Sequence, residues 1–191
     1  GCTIVGSTGM HMKIAPSAQH VKLNTELSGY TMCFPVPGMY AQIQSNMAST
    51  LNIDWLLDVG LDVLASQGVE RTRADLLKGL DARIMQAEPA RALFHPYISQ
   101  AGERGPVMEP AARAMFTGLE LGMGFADMMR AVFEGLCFAS RDCYSAMGDI
   151  PREVRVTGGA ARSQALRVML ASVLKAPVRT VQREEAGAAG A

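Results

Sequence analysis

Through the first forty-five residues, apolar and polar positions alternate in short runs broken by glycine and proline, the two-residue period of strands. Cys2–Gly6 and Met10–Ile14 flank Ser7-Thr8-Gly9 and predict a hairpin. Tyr30–Phe34 and Met39–Gln44 flank Pro35-Val36-Pro37-Gly38 and predict a second strand pair. From Asn46 the period lengthens, with Met47, Leu51, Trp55 and Val59 at helical spacing and Trp55 expected as a buried anchor. Arg71–Ala87 predicts a further helix, with Leu76, Leu77, Leu80 and Ile84 on one face, and Ala111–Leu119 a short one. The clearest helix is Phe125–Met147: Phe125, Met128, Val132, Leu136 and Ala139 form its core stripe, and Asp127, Arg130, Glu134 and Arg141 a polar face.

Between these helices, residues 95–106 read as irregular chain, with Glu103-Arg104 as a solvated turn pair. The closing segment alternates again at Glu153–Thr157, turns at Gly158-Gly159, runs as a helix from Ser163 to Lys175, stops at Pro177 and resumes as a strand at Val178–Val181. Hairpins followed by a strand–helix–strand unit predict the α/β class, a mixed sheet with helices packed on it.

Charge narrows the function classes. Eighteen basic residues balance eighteen acidic ones, and no Lys/Arg run supplies the footprint that nucleic acid or an anionic membrane requires. The charge-free stretch Leu27–Ile53 is interrupted by Gly29, Pro35, Pro37, Gly38, Gln42, Gln44 and Asn46, so it reads as strands and not as a membrane span. With 49% apolar and 19% charged residues over 191 positions, the chain suits one globular domain. Cys2, Cys33, Cys137 and Cys143 form no CxxC pair and read as free thiols of a cytoplasmic protein without a signal peptide. His11, His20 and His95 are scattered, and no metal site is expected. A start at Gly1 and a stop at Ala191 within an alanine-rich stretch suggest a portion of a longer polypeptide.

Two turns are candidates for chemistry. Gly158-Gly159 lies where a strand gives way to a helix, a place where backbone N–H groups can meet an anion and where no Cβ blocks the approach. Ser7-Thr8-Gly9 offers two hydroxyls and a glycine at a hairpin tip. Neither matches GxGxxG or GxxxxGK[ST], and taken alone each also reads as an ordinary turn.

The order of these features resembles the C-terminal domain of the FGGY family of carbohydrate kinases. Ile4-Val5-Gly6-Ser7-Thr8-Gly9 resembles the family's second phosphate hairpin. Phe94-His95-Pro96-Tyr97 with Gly102-Glu103-Arg104-Gly105-Pro106 resembles its PY…GERxP loop, and Arg130–Phe138 its RAvlEGvaf helix. Val154–Gly159 followed by Ser163 is similar to its adenosine-binding GG segment, and Glu185–Gly190 to the start of its last helix. The resemblance spans 1–191 and implies a ribonuclease H-like, actin-like ATPase lobe that binds the nucleotide in transfer of phosphate from ATP, with Mg2+, to a sugar or polyol. It implies that Ser7, Thr8 and Gly9 face the β- and γ-phosphates, and that Gly158, Gly159 and Ser163 line the α-phosphate, ribose and adenine. It implies no catalytic residue in this chain, the base being expected upstream of Gly1 in a lobe that also holds most of the substrate pocket. Many members have Gly-Thr at the hairpin where this chain has Gly6-Ser7-Thr8-Gly9, which leaves open which hydroxyl meets phosphate. Three further matters stay open at this level: an actin- or chaperone-type ATPase that phosphorylates no small molecule, an α/β domain without nucleotide, and homodimerisation of the longer protein.

Overall fold

The computed structural model describes residues 1–181, so the segment Glu185–Gly190 lies outside the described residues. Among the described residues eight strands form in chain order: β1 (Cys2–Val5), β2 (Gly9–Ala15), β3 (Tyr30–Cys33), β4 (Tyr40–Asn46), β5 (Leu93–His95), β6 (Met115–Thr117), β7 (Val154–Thr157) and β8 (Val178–Thr180). The α-helices are α1 (Thr50–Ser66), α2 (Arg73–Leu77), α3 (Leu80–Gln86), α4 (Phe125–Ala146) and α5 (Gln164–Leu174), with a 3-10 turn at Gly159–Arg162. Six strands make one mixed sheet in the order β3-β4-β2-β1-β7-β8; β1, β2, β4 and β3 pair antiparallel in turn, while β7 lies parallel to β1 and β8 parallel to β7. The mixed sheet predicted from the alternation is present.

Helices α4 and α5 pack on each other and close the core against Val5, Val154 and Val156. Within α4, Met129, Val132 and Tyr144 are completely buried, and Cys137 and Cys143 are as well concealed. Short-range pattern fails where helix faces compete. In α1 the buried face is Asn52, Ile53, Leu56 and Leu57, whereas Leu51, Trp55 and Val59 lie on the open side. Trp55 is thus no buried anchor; it is 40% exposed and stacks on Phe94 across 6.5 Å. Apolar residues occur on every face of this helix, so period alone could not choose the inward one.

Three other expectations are corrected by the structure. The helix predicted over Arg71–Ala87 breaks in two because Gly79 adopts a left-handed conformation, φ 69°, which ends α2 and starts α3. The helix predicted over Ala111–Leu119 is replaced by β6, whose Phe116 pairs with Phe94 of β5 at 4.6 Å between ring centroids, a long-range contact that outweighs local propensity. Arg130 and Glu134, expected on a polar helix face, do pair with each other but are turned inward. Both are buried, with Arg130 Nε donating to Glu134 Oε1 at 2.7 Å and Nη1 donating to the carbonyls of Ile84 and Ala87. Glu134 Oε2 accepts from the Ala90 amide, so the pair staples the chain after α3 to α4.

Candidate functional site

The two turns singled out in the sequence meet at one end of the sheet. Strand β1 runs parallel to β7 with Ile4 opposite Thr157, so the Gly6-Ser7-Thr8 turn and the Gly158-Gly159 turn leave adjacent strands side by side. Gly158 has φ +96°, and a Cβ there would stand 2.5 Å from the Val5 carbonyl oxygen. Only glycine lets the second turn rest on the backbone of the first. Gly159 next to it faces open space: a Cβ there would have nothing within 4 Å, and its backbone is not in the left-handed region.

The first turn is oriented by the start of α1. The Thr50 amide donates to the Gly6 carbonyl at 2.9 Å and the Ser49 amide to the Ser7 carbonyl at 2.8 Å, while Gly6 N–H closes the turn on the Thr8 carbonyl at 3.2 Å. In a trans peptide the C=O and the following N–H point in opposite directions. With the Gly6 and Ser7 carbonyls turned toward α1, the N–H groups of Ser7 and Thr8 point away from it. Ser7 and Thr8 are exposed, and neither their amides nor their hydroxyls find a partner among the described residues. Two amides, two hydroxyls and an uncrowded glycine turn beside them are a donor set suited to phosphate oxygens, so the residues present fit a polyphosphate.

Two of the sequence candidates take other places. Gly9 is buried in β2, where a Cβ would meet Asn46 Oδ1 at 3.2 Å and His11 Nε2 at 3.4 Å, so it lies beneath the turn. Ser163 caps α5: its Oγ accepts from Leu166 N–H at 3.1 Å and donates to Asp81 Oδ1 at 2.8 Å. Asp81, from α3, also accepts from the Gln164 amide at 2.6 Å and the Ala165 amide at 3.2 Å. The N-terminus of α5 therefore already holds a carboxylate of this chain, which leaves the α5 dipole satisfied. Among the described residues, no group of three His, Cys, Asp or Glu side chains could hold a metal ion.

Beneath the turns runs a polar network that the sequence did not reveal. His11 bonds through Nδ1 to Thr3 Oγ1 at 3.2 Å and through Nε2 to Asn46 Oδ1 at 3.0 Å, and Thr3 Oγ1 meets the Tyr144 hydroxyl at 2.8 Å. Burial pushes the imidazole down to about 4, so it is neutral at physiological pH, and burial pushes the Tyr144 phenol up. Asn46 Nδ2 donates onward to the Gly105 carbonyl at 2.7 Å, tying the 102–106 loop to β4. Glu103 in that loop is 6% exposed, not the solvated turn residue expected. Its Oε1 accepts from the amides of Met47 at 2.8 Å, Arg104 at 2.8 Å and Gly105 at 3.4 Å, while burial holds its carboxyl above the usual range in spite of those donors. No signal short of the fold pairs Glu103 with Met47, fifty-six positions away.

Against known proteins, the profile of the FGGY family of carbohydrate kinases, C-terminal domain, matches residues 2–191. The chain is 49% identical over all its 191 residues to an erythritol kinase of Brucella abortus, of which it spans 36%. It thus covers about a third of the length of that curated relative. Among solved structures it resembles a ligand-bound xylulose kinase from Lactobacillus acidophilus, with a TM-score of 0.79 and 22% identity over 97% of this chain and 36% of that one. A glycerol kinase from Plasmodium falciparum, solved with ADP, gives a TM-score of 0.73 at 16% identity over 96% of this chain and 35% of that one. The sheet order and these neighbours define the fold as the actin-like ATPase, ribonuclease H-like α/β fold. On the match over residues 2–191, the chain belongs to the FGGY family of carbohydrate kinases.

Proposed function

We propose that this chain is the nucleotide-binding lobe of an ATP-dependent sugar or polyol kinase acting on an erythritol-like polyol in the cytoplasm. One observation carries the reading: the Ser7-Thr8 and Gly158-Gly159 turns leave neighbouring parallel strands, and the second rests against the backbone of the first. The 49% identity to an erythritol kinase supports the polyol over other acceptors. In this reading the Ser7 and Thr8 amides and hydroxyls hold the β- and γ-phosphates of ATP, and Gly159 gives the rest of the nucleotide close access to the backbone. Gly158 joins the two turns, Gly9 supports the first from below, and Ser163 with Asp81 sets the start of α5 beside the site.

Phosphoryl transfer depends on positioning and on donors placed where charge accumulates, which this lobe supplies. Mg2+ arrives with the triphosphate, and no residue of this chain is assigned to it. The base that takes the proton of the acceptor hydroxyl is assigned to the remainder of the protein, upstream of Gly1. The test is ADP formation by the intact protein with MgATP and erythritol, followed in wild type and in the Ser7→Ala/Thr8→Ala double variant. Polyol-dependent ADP release, with kcat/KM for ATP lowered about tenfold to a hundredfold in the variant, is expected from the loss of hydrogen bonds to a charged ligand. ATP hydrolysis indifferent to any polyol or sugar would refute the proposal.

A further inference from the structure

Glu103 lies outside the turns, yet it is bonded to the segment that holds the first of them. Its Oε1 fixes the Met47 amide at 2.8 Å, and two and three residues further on Ser49 and Thr50 donate to the Ser7 and Gly6 carbonyls. The segment between is short and buried, with Ala48 at 1% and Ser49 at 6% exposure. The loop bearing Glu103 is itself pressed on β4: Asn46 bonds the Gly105 carbonyl, and a Cβ on Gly105 would stand 2.6 Å from the Ser45 carbonyl oxygen. Glu103 Oε2, by contrast, is buried without a hydrogen-bond partner among the described residues. A buried carboxylate oxygen left unpaired is a cost that stability alone does not favour. A single oxygen that accepts from three amides ties the Met47 peptide to the 103–105 loop.

We propose that Glu103 is a positioning residue for the phosphate-binding turn, its carboxylate anchoring residues 47–50 so that the Ser7 and Thr8 amides point into the site. The proposal rests on the reading of that turn as a phosphate site. The chain of contacts is continuous: carboxylate to the Met47 amide, residues 47–50 to the Gly6 and Ser7 carbonyls, and those peptide planes to the two outward amides. Removing the carboxylate frees the segment and lets the planes rotate, while the acceptor pocket is left alone. Glu103→Gln keeps an acceptor oxygen in the same place and removes the charge.

The test compares wild type, Glu103→Ala and Glu103→Gln in the intact protein, first by hydrogen exchange at the amides of Gly6, Ser49 and Thr50. Exchange there is expected to quicken about tenfold in the alanine variant, the loss of a hydrogen bond, with α4 amides unchanged and most protection regained in the glutamine variant. The second readout is kinetic: KM for ATP raised and kcat lowered about tenfold in the alanine variant, KM for the polyol unchanged, and glutamine restoring most of the activity. Unchanged protection at Gly6, Ser49 and Thr50, or a loss of stability with both kinetic constants for ATP intact, overturns the proposal. If the alanine variant unfolds throughout, Glu103→Asp, which retracts the carboxylate by one methylene, is read at the same amides with the same two outcomes. A wild-type protein that releases no ADP refutes the kinase reading and leaves the exchange comparison to decide the tether.

Discussion

The neighbouring glycines of the second turn should respond to substitution in opposite ways. At Gly158 any side chain must adopt φ +96° and place its Cβ 2.5 Å from the Val5 carbonyl oxygen, 2.8 Å from its carbon and 3.0 Å from its nitrogen. A backbone at φ 96° and ψ 172°, a region essentially reserved for glycine, costs an L residue about 1–3 kcal/mol and the overlap with strand backbone about 1–3 kcal/mol more, so Gly158→Ala is expected to lose about 2–6 kcal/mol of stability. At Gly159 nothing stands within 4 Å, and Gly159→Val should leave the unfolding free energy within about 0.5 kcal/mol of wild type. In the function proposed above, the valine fills the space through which a nucleotide reaches the backbone. Losing one hydrogen bond to a charged phosphate, about 1.5–3 kcal/mol, weakens ATP binding roughly tenfold to 150-fold. The assay pairs denaturant unfolding of each intact variant with calorimetric titration of MgATP. A Gly159→Val protein that is stable and binds ATP as wild type does would refute the assignment of this turn. One that unfolds like Gly158→Ala would show that the open face is structural.

Three further outcomes are expected. Because burial depresses His11 from 6.5 to about 4, the unfolded chain takes up a proton that the folded one refuses; stability is complete above pH 6.5 and falls by about 3 kcal/mol in all as pH drops through 4. His11→Gln should flatten the dependence of urea midpoints on pH over that window, and an unchanged slope would contradict the account. Arg130→Ala strands the Glu134 carboxylate and frees the Ile84 and Ala87 carbonyls in the interior, at a cost of about 3–5 kcal/mol by denaturant unfolding, whereas a loss below about 1 kcal/mol would mean that the pair is solvated. Peptide mapping after brief alkylation of the native protein should find Cys33, which is exposed, modified, and Cys137 and Cys143 protected, since burial both hides these two thiols and pushes them up. Equal labelling of the three would refute the packing of α4.

The sequence by itself determined much of this molecule. Strong alternation placed β1, β2, β4 and β7, an amphipathic period placed α4 and α5, and the order of turns led to the family. Each is a local property of the chain, written in periods of two or of 3.6 residues, and so needs no knowledge of what lies opposite. Tertiary structure alone decided which face of α1 turns inward, since apolar residues occur all round it, and that Met115–Thr117 pairs as a strand with Leu93–His95, since aromatic packing across some twenty residues outweighs a weak helical tendency. It also decided which candidates lie open at the surface and which serve the frame. Ser7 and Gly159 look outward because Thr50 and Val5 hold their neighbours, while Ser163 is bound by Asp81 and Glu103 is buried by a loop that closes on β4. Those contacts join residues far apart in the chain, and hydrogen bonding at such separations leaves no periodic trace in the sequence.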